Sequence, residues 1–374
     1  MRAERTPRVL IVAGSDSGGG AGIQADLKTV TMLGGHAMTA ITALTAQNTL
    51  GVQAVMPVPA DMVVAQMRSC LDDIGVDVVK IGMLASAATA RAVAGVLEAL
   101  DVPVVFDPVM VATSGDVLAD ADTVAAFERL IALATVVTPN LPELAALGGE
   151  VAVLRHAPVV LVKGGHGNGA ALTDRLLTRD GEVASWTSER IDTAATHGTG
   201  CTLASAIAVG LARGEPLGMA VARARLFMRL ALRDAPGLGR GRGPMGHQAV
   251  RLDLGSGARL NQVTLPSEAR EEDIAFYRLL GLRQIVATDH GYARFETAGG
   301  ATLSLHRDAV ATAFLECDDL DATVARLRAT GVAVDGPVEQ PWLWREARLT
   351  DPSGNVLCLF EAGENRRYPP WRLP

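Results

Sequence analysis

Six short apolar runs, at residues 9–13, 38–44, 78–81, 102–106, 135–138 and 159–162, alternate with segments whose apolar positions recur every three and four residues. Several of these runs are too continuously apolar to have a wet face, the pattern of strands buried on both sides in a parallel sheet. The intervening segments, 23–33, 61–71, 87–100, 122–133 and 142–147, carry the spacing of amphipathic helices laid on that sheet. Such alternation predicts a doubly wound, mostly parallel α/β layer with helices on both faces.

That layer ends near residue 235, and 374 residues exceed what one core usually serves, so two domains are expected. The net charge of −7 comes from interspersed residues without a basic stripe, which argues against nucleic acid as a partner. Cys70, Cys201, Cys317 and Cys358 are widely spaced and fit neither a disulfide framework nor a structural zinc site, so a reduced, cytoplasmic setting is expected. Residues 1–8 are polar and the apolar run behind them is too short for a signal-peptide core or a span, so no membrane partner is expected.

The chemistry-bearing residues follow the strands. Asp107 comes after the run at 102–106, Asn140 and Glu143 after 135–138, and Lys163 with Gly164, Gly165 and His166 after 159–162. In open α/β sheets the crevice outside the strand carboxyl ends is where ligands bind, so these segments converge. Thr196-His197-Gly198-Thr199-Gly200-Cys201-Thr202 then runs into the apolar helix pattern at 203–211. A glycine-rich turn opening a helix aims unpaired N–H groups and the positive dipole end at one spot, which suits a phosphate. Two common nucleotide motifs fail. Gly20-Ala21-Gly22-Ile23-Gln24-Ala25 fits a dinucleotide fingerprint, but no acidic residue occurs between Asp26 and Asp61 to take a ribose, and no Walker A loop is present.

Seven blocks resemble, in order, the bacterial hydroxymethylpyrimidine kinase/phosphomethylpyrimidine kinase family of thiamine biosynthesis, within the ribokinase-like superfamily. They are 13–29, Ala46-Gln47-Asn48-Thr49, Lys80-Ile81-Gly82-Met83-Leu84, Asp107-Pro108-Val109-Met110, Thr138-Pro139-Asn140-Leu141-Pro142-Glu143, Lys163-Gly164-Gly165-His166, and the loop ending at Cys201. The resemblance implies that Gly14, Asp26, Gln47 and Met83 line a pyrimidine pocket, with Asp26 and Gln47 reading the aminopyrimidine edge. It implies that Asn140, Glu143, Asp107 and Thr199 organise ATP and Mg²⁺, and that Lys163 neutralises phosphate charge. Cys201, with Gly198 and Gly200, falls where the superfamily's sugar kinases carry a catalytic aspartate. A homodimer is implied as well.

These roles suit phosphoryl transfer, which needs in-line positioning and fixed positive potential more than covalent help. Only phosphorylation of a hydroxymethyl group asks for proton removal, and a helix N-terminus lowering the Cys201 thiol is one way to supply a base. Plainer readings exist for each residue: Cys201 as a small buried hydrophobe, Lys163 as a solvated loop residue, Asp26 and Glu143 as helix-dipole acids, Gln47 as a satisfied core amide, Met83 as a gap filler.

Beyond Pro236 the composition changes, and Gly255-Ser256-Gly257 marks a linker, giving domains at 1–250 and 260–374 joined by 251–259. From residue 260 a strand–helix–strands cycle occurs twice. It resembles the βαβββ modules of the glyoxalase/bleomycin-resistance superfamily, through Asn261-Gln262-Val263-Thr264-Leu265, Ala275-Phe276-Tyr277-Arg278-Leu279-Leu280-Gly281-Leu282, Asp318-Asp319-Leu320-Asp321-Ala322 and Asp351-Pro352-Ser353-Gly354-Asn355. That superfamily's four metal positions correspond to about Gln262, His306, Thr312 and Cys358. Thr312 and Cys358 depart from the pattern, so a non-metal ligand-binding or stabilising module is expected. Trp342 and Trp344 either line an apolar cavity or cover a sheet face.

The resulting expectation is an ATP-dependent pyrimidine kinase fused to a glyoxalase-like module. The alternatives are a pyridoxal kinase of the same fold, or a small-molecule sensor or sequestration protein with a degenerate kinase domain.

Overall fold

A computed structural model describes residues 6–111, 118–166, 169–250, 259–268, 270–288, 291–297, 300–307, 309–352, 354–366 and 368–373. The chain divides into two compact units, Met1–Leu252 and Asp253–Pro374. The expected linker glycines 255 and 257 lie outside the described residues, as does Ser353 of the Asp351 signature.

In the first unit the strands are β1 (Arg8–Asp16), β2 (His36–Asn48), β3 (Gly51–Pro57), β4 (Val78–Ile81), β5 (Val104–Phe106), β6 (Val136–Val137), β7 (Val160–Val162), β8 (Ala171–Thr178) and β9 (Gly181–Glu189). They form one sheet in the order β3-β2-β1-β4-β5-β6-β7-β8-β9. From β2 to β7 all pairings are parallel, whereas β3, β8 and β9 add antiparallel edges. The helices among the described residues of this unit are α1 (Gly22–Met32), α2 (Ala60–Asp73), α3 (Ala87–Leu97), α4 (Ala121–Leu133), α5 (Leu141–Ala146), α6 (Glu150–Leu154), α7 (Thr199–Ala212) and α8 (Leu217–Arg233).

The strand runs are apolar throughout because both faces are covered. Leu10 and Val12 of β1 pack with Met67 of α2, Val93 and Leu97 of α3, and Phe127 and Leu130 of α4. Val9, Ile11 and Ala13 point the other way, where α1 and α7 lie, and are equally buried. α7 is buried continuously from Thr202 to Gly210, as a helix packed between the sheet, α1 and α8 must be.

The second unit has strands β10 (Arg259–Pro266), β11 (Arg283–Ala287), β12 (Ala293–Glu296), β13 (Thr302–His306), β14 (Thr312–Glu316), β15 (Asp335–Glu339), β16 (Arg345–Thr350) and β17 (Val356–Glu361), with helices α9 (Arg270–Leu279) and α10 (Leu320–Ala329). Its sheet order, β11-β12-β13-β10-β14-β17-β16-β15, places two βαβββ modules back to back about the antiparallel β10–β14 pair.

Candidate active site

α7 begins at Thr199 behind Gly198, whose φ of 80° is left-handed. A Cβ on Gly198 would stand 2.0 Å from the carbonyl oxygen of Gly20, so only glycine lets this turn settle on the head of α1. Neither α1 nor α7 has a side-chain cap, and both N-termini open onto one cavity of about 770 Å³ at the strand carboxyl ends. Gly14, Gln47, Met83, Asp107, Asn140, Glu143, Lys163, Gly198, Thr199, Gly200 and Cys201 all line it. Of the sequence-predicted set, Asp26 alone does not.

One end of the cavity is charged. The Lys163 ammonium lies 2.6 Å from Asp107 Oδ1, which also accepts from Thr138 Oγ1 at 3.0 Å, and 3.8 Å from Glu143 Oε2. Lys163 is held there by backbone pairing with Asn140, as its amide donates to Pro139. Asn140 and Glu143 form a capping box on α5, each side chain accepting at 2.8 Å from the other's amide. Helix acid and site residue are therefore compatible roles for Glu143. Burial raises the Glu143 carboxyl, Lys163 pulls it down and Asp107 pushes it up, with the net effect above its ordinary value. For Lys163, burial opposes the charge, but Asp107 and Glu143 outweigh it and hold the ammonium charged. Gly200 leaves room here, since a Cβ would lie 3.2 Å from the Lys163 nitrogen.

The other end is a smaller pocket. Met83 packs over Gly14, where a Cβ would meet its sulfur at 3.2 Å. Gln47 Nε2 lies 3.1 Å from His197 Nε2, and that nitrogen lies 3.0 Å from Asp16 Oδ2. The Asp16 carboxylate also accepts the amides of Gly18, Gly20 and Ala21, folding the glycine loop around itself. Burial works to raise Asp16, yet His197 and these amides outweigh it and the group sits below the ordinary carboxylate range. Asp16 and His197 went unrecognised as a pair because 181 residues separate them.

Two expectations need correction. Asp26 is fully buried, bound to the equally buried Lys80 at 2.9 and 3.0 Å and accepting from Ser205 Oγ at 2.7 Å, so its oxygens are committed to the floor beneath the cavity. Burial opposes the Lys80 charge, but Asp26 prevails and the ammonium is raised above its ordinary value. Removing one partner of such a pair strands the other charge. Asp26→Asn is therefore expected to lower unfolding free energy in urea by roughly 3–5 kcal/mol while leaving the acceptor KM within about threefold. A raised KM at unchanged stability would mean that Asp26 touches the acceptor directly.

The second correction concerns Cys201. Burial pushes its thiol up to about 12, and the nearby Lys80 ammonium and Gly22 amide do not compensate. The thiol thus sits above its ordinary value, opposite to the direction expected from a helix start.

In the second unit the four positions tested for metal do not meet. Gln262 pairs with Thr302 and His306 with Pro266, four residues apart on the same two strands, or about 13 Å. Gln262 accepts from Thr302 Oγ1 at 2.9 Å, and Cys358 is buried opposite Phe314. Among the described residues no group of three His, Cys, Asp or Glu could hold a metal ion.

A charged end and a smaller pocket in one cavity, at the carboxyl edge of a doubly wound sheet, are what a small-molecule phosphotransferase of the ribokinase-like class needs. The phosphomethylpyrimidine kinase family model matches residues 16–246, and that of the glyoxalase/bleomycin resistance protein/dioxygenase superfamily matches 259–359. The chain belongs to the phosphomethylpyrimidine kinase family. It is 48% identical over 256 residues to the hydroxymethylpyrimidine/phosphomethylpyrimidine kinase of Streptomyces coelicolor, covering 64% of this chain and 94% of that one. It is 50% identical over 262 residues to a bifunctional thiamine biosynthesis protein of Geobacter sulfurreducens, covering 66% of this chain and 53% of that one. Among solved structures, Bacillus subtilis pyridoxal kinase in complex with ADP superposes with a TM-score of 0.61 at 33% identity, over 67% of this chain and all of that one. Phosphomethylpyrimidine kinase from Clostridium difficile gives 0.52 at 34% identity, over 61% of this chain and 99% of that one.

No helix among the described residues is long and apolar enough to cross a membrane.

Proposed function

We propose that the first unit transfers the γ-phosphoryl group of ATP to 4-amino-5-hydroxymethyl-2-methylpyrimidine, and then phosphorylates the monophosphate to the diphosphate. The observation that carries this reading is the two-ended cavity. Lys163 and the amides of Gly198, Thr199 and Gly200 lie where a transferring phosphoryl group gains charge, and Gly14, Gln47 and Met83 form the acceptor pocket. Fixed donors of this kind are already oriented when the charge develops. Asp107 and Glu143 offer hard oxygens beside the phosphate end, a donor set that suits Mg²⁺ held jointly by carboxylates, waters and phosphates. When bound, Mg²⁺ would neutralise charge on the nucleotide.

Cys201 stays a thiol at neutral pH in this reading. Because the transition state is loose, the acceptor proton leaves late, as the new O–P bond forms, and no pre-ionised base is needed. Rates of both steps between pH 6 and 9 test this. A thiolate base would make the hydroxymethyl step alone climb about tenfold per unit, since the thiolate fraction keeps growing up to the thiol's pKa. The expected result is no such climb, with Cys201→Ala lowering either step less than about tenfold. A climb that vanishes in Cys201→Ala would restore the base.

Substrate competition decides between pyrimidine and pyridoxal. A kcat/KM at least about tenfold higher for hydroxymethylpyrimidine supports the proposal, and the reverse preference overturns it. A homodimer is part of the reading, supported by exposed Val55 and Met56 on the edge strand β3 and exposed Leu50 in the turn before it. Sedimentation at twice the chain mass is expected. The second unit is read as a binding module without catalytic metal.

A further inference from the structure

The cavity of the first unit is lined by several cations, and most of them are already engaged. Lys163 is shared by Asp107 and Glu143. On the side of β8 and β9, Arg225 donates to Asp174 at 2.7 Å, Arg229 to the carbonyl of Glu189 at 2.8 Å, and Arg190 to the carbonyl of Gly169 at 3.3 Å. Arg242 differs from these in place and in company. It lines the same cavity, is exposed, and among the described residues its guanidinium has no hydrogen-bond or ion-pair partner.

The backbone of Arg242 is fixed at the acceptor end. Its amide donates at 2.9 Å to the carbonyl of Thr49, in the turn between β2 and β3, and the Gly241 amide donates to Thr49 Oγ1 at 3.3 Å. A Cβ on Gly241 would run into that carbonyl, so glycine is what lets the segment lie so close. On the other side, the Gly243 amide donates to the carbonyl of Ala194 at 3.1 Å, and the Gly243 carbonyl accepts from the His197 amide at 3.2 Å, one residue before the Gly198 turn. Residues 241–243 therefore run from the hairpin that carries Gln47 to the cradle that opens α7. A cation based between those points stands beside the route from the acceptor pocket to the travelling phosphoryl group.

The two acceptors differ in charge on that route. Hydroxymethylpyrimidine brings a neutral hydroxyl, whereas its monophosphate brings a group carrying roughly −1.5 to −2 near neutral pH. Asp16 and His197, the other charged or titratable side chains at this end, face each other at 3.0 Å. A doubly charged acceptor meeting the nucleotide phosphates needs a counter-charge, and Lys163 is already divided between two carboxylates. A free guanidinium suits that task, since its fork matches two phosphate oxygens at once.

We propose that Arg242 is a specificity-determining residue for the second phosphorylation, its guanidinium holding the phosphate of the monophosphate acceptor and contributing little to the neutral hydroxymethyl acceptor. This deepens the kinase reading of the first unit and rests on it.

Initial rates of ADP release by the full chain, with hydroxymethylpyrimidine and its monophosphate supplied separately, test the assignment. Arg242→Gln is expected to lower kcat/KM for the monophosphate at least about tenfold, chiefly through KM, and that for hydroxymethylpyrimidine less than about threefold. Arg242→Lys keeps the charge without the fork and is expected to fall between the parent and the glutamine variant, so the split stays readable if the glutamine variant does not fold. Arg240→Gln removes another exposed charge of the same segment, one that does not line the cavity, and is expected to leave both steps as in the parent. Equal loss in both steps of Arg242→Gln, or loss in neither, overturns the assignment. The same split in Arg240→Gln overturns it too, because bulk charge would then suffice. A parent that phosphorylates neither acceptor removes the kinase reading and this inference with it.

Discussion

Lys163→Met is expected to lower kcat for both phosphorylation steps by roughly 10²–10³-fold, the scale on which loss of one preorganised charge-stabilising group acts. The two steps should fall together, because the ammonium serves the travelling phosphoryl group and not the acceptor. The side chain sits 2.6 Å from Asp107 and 3.8 Å from Glu143, so methionine preserves its reach while leaving two carboxylates without their shared cation. Some loss of stability is therefore expected too, and melting curves recorded beside the kinetics separate it from the chemical effect. Lys163→Arg, which keeps the charge, should recover part of kcat. A loss below about tenfold in the methionine variant would place the phosphate elsewhere.

Gly198→Ala is expected to be comparably severe for a different reason. Its φ of 80° costs an L-residue roughly 1–2 kcal/mol, and the added Cβ would lie 2.0 Å from a carbonyl oxygen that cannot swing away. Relief requires the turn to lift from the head of α1, which withdraws the amides of Thr199 and Gly200 from the phosphate end. Unfolding free energy should fall by about 2–4 kcal/mol and activity by more than hundredfold. Gly95 supplies the contrast, being an exposed position in α3 where a Cβ meets nothing within 4 Å. Gly95→Ala should raise stability by about 0.5–1 kcal/mol. Wild-type activity in Gly198→Ala would show that the turn is not the cradle.

The central sheet was legible because each parallel strand is apolar on both faces, and the polar residue that ends each run marks the carboxyl edge. β3, β8 and β9 were not legible. They are antiparallel edge elements with exposed positions, such as Gln53, Thr187 and Ser185, and their pairing depends on neighbours far off in sequence. α8 was passed over for a related reason, since arginines 223, 225, 229 and 233 interrupt its apolar spacing. Arg225 is itself buried, donating to Asp174 at 2.7 Å and to Ser188 at 3.0 Å.

Within the site, the cluster of Asp107, Asn140, Glu143 and Lys163 follows from strand ends, and the Gly198 turn from its glycines ahead of an apolar helix. Asp26 misled because a helix-borne acid near a pocket is compatible with both contact and burial. A usable signal was present in Val78-Val79-Lys80-Ile81, where a lysine inside a strand buried on both sides must have an acidic partner. The Cys201 thiol misled differently. Its position at a helix start was correct, but desolvation beside the carboxylates of Asp26 and Asp107 outweighs what lowers the thiol.

The claim that one cavity serves two successive acceptors is tested most directly by counting ADP. Purified protein given limiting hydroxymethylpyrimidine and excess Mg-ATP should release two ADP per pyrimidine, the second phase beginning as the monophosphate accumulates. ADP release no faster than in the absence of pyrimidine would contradict the account.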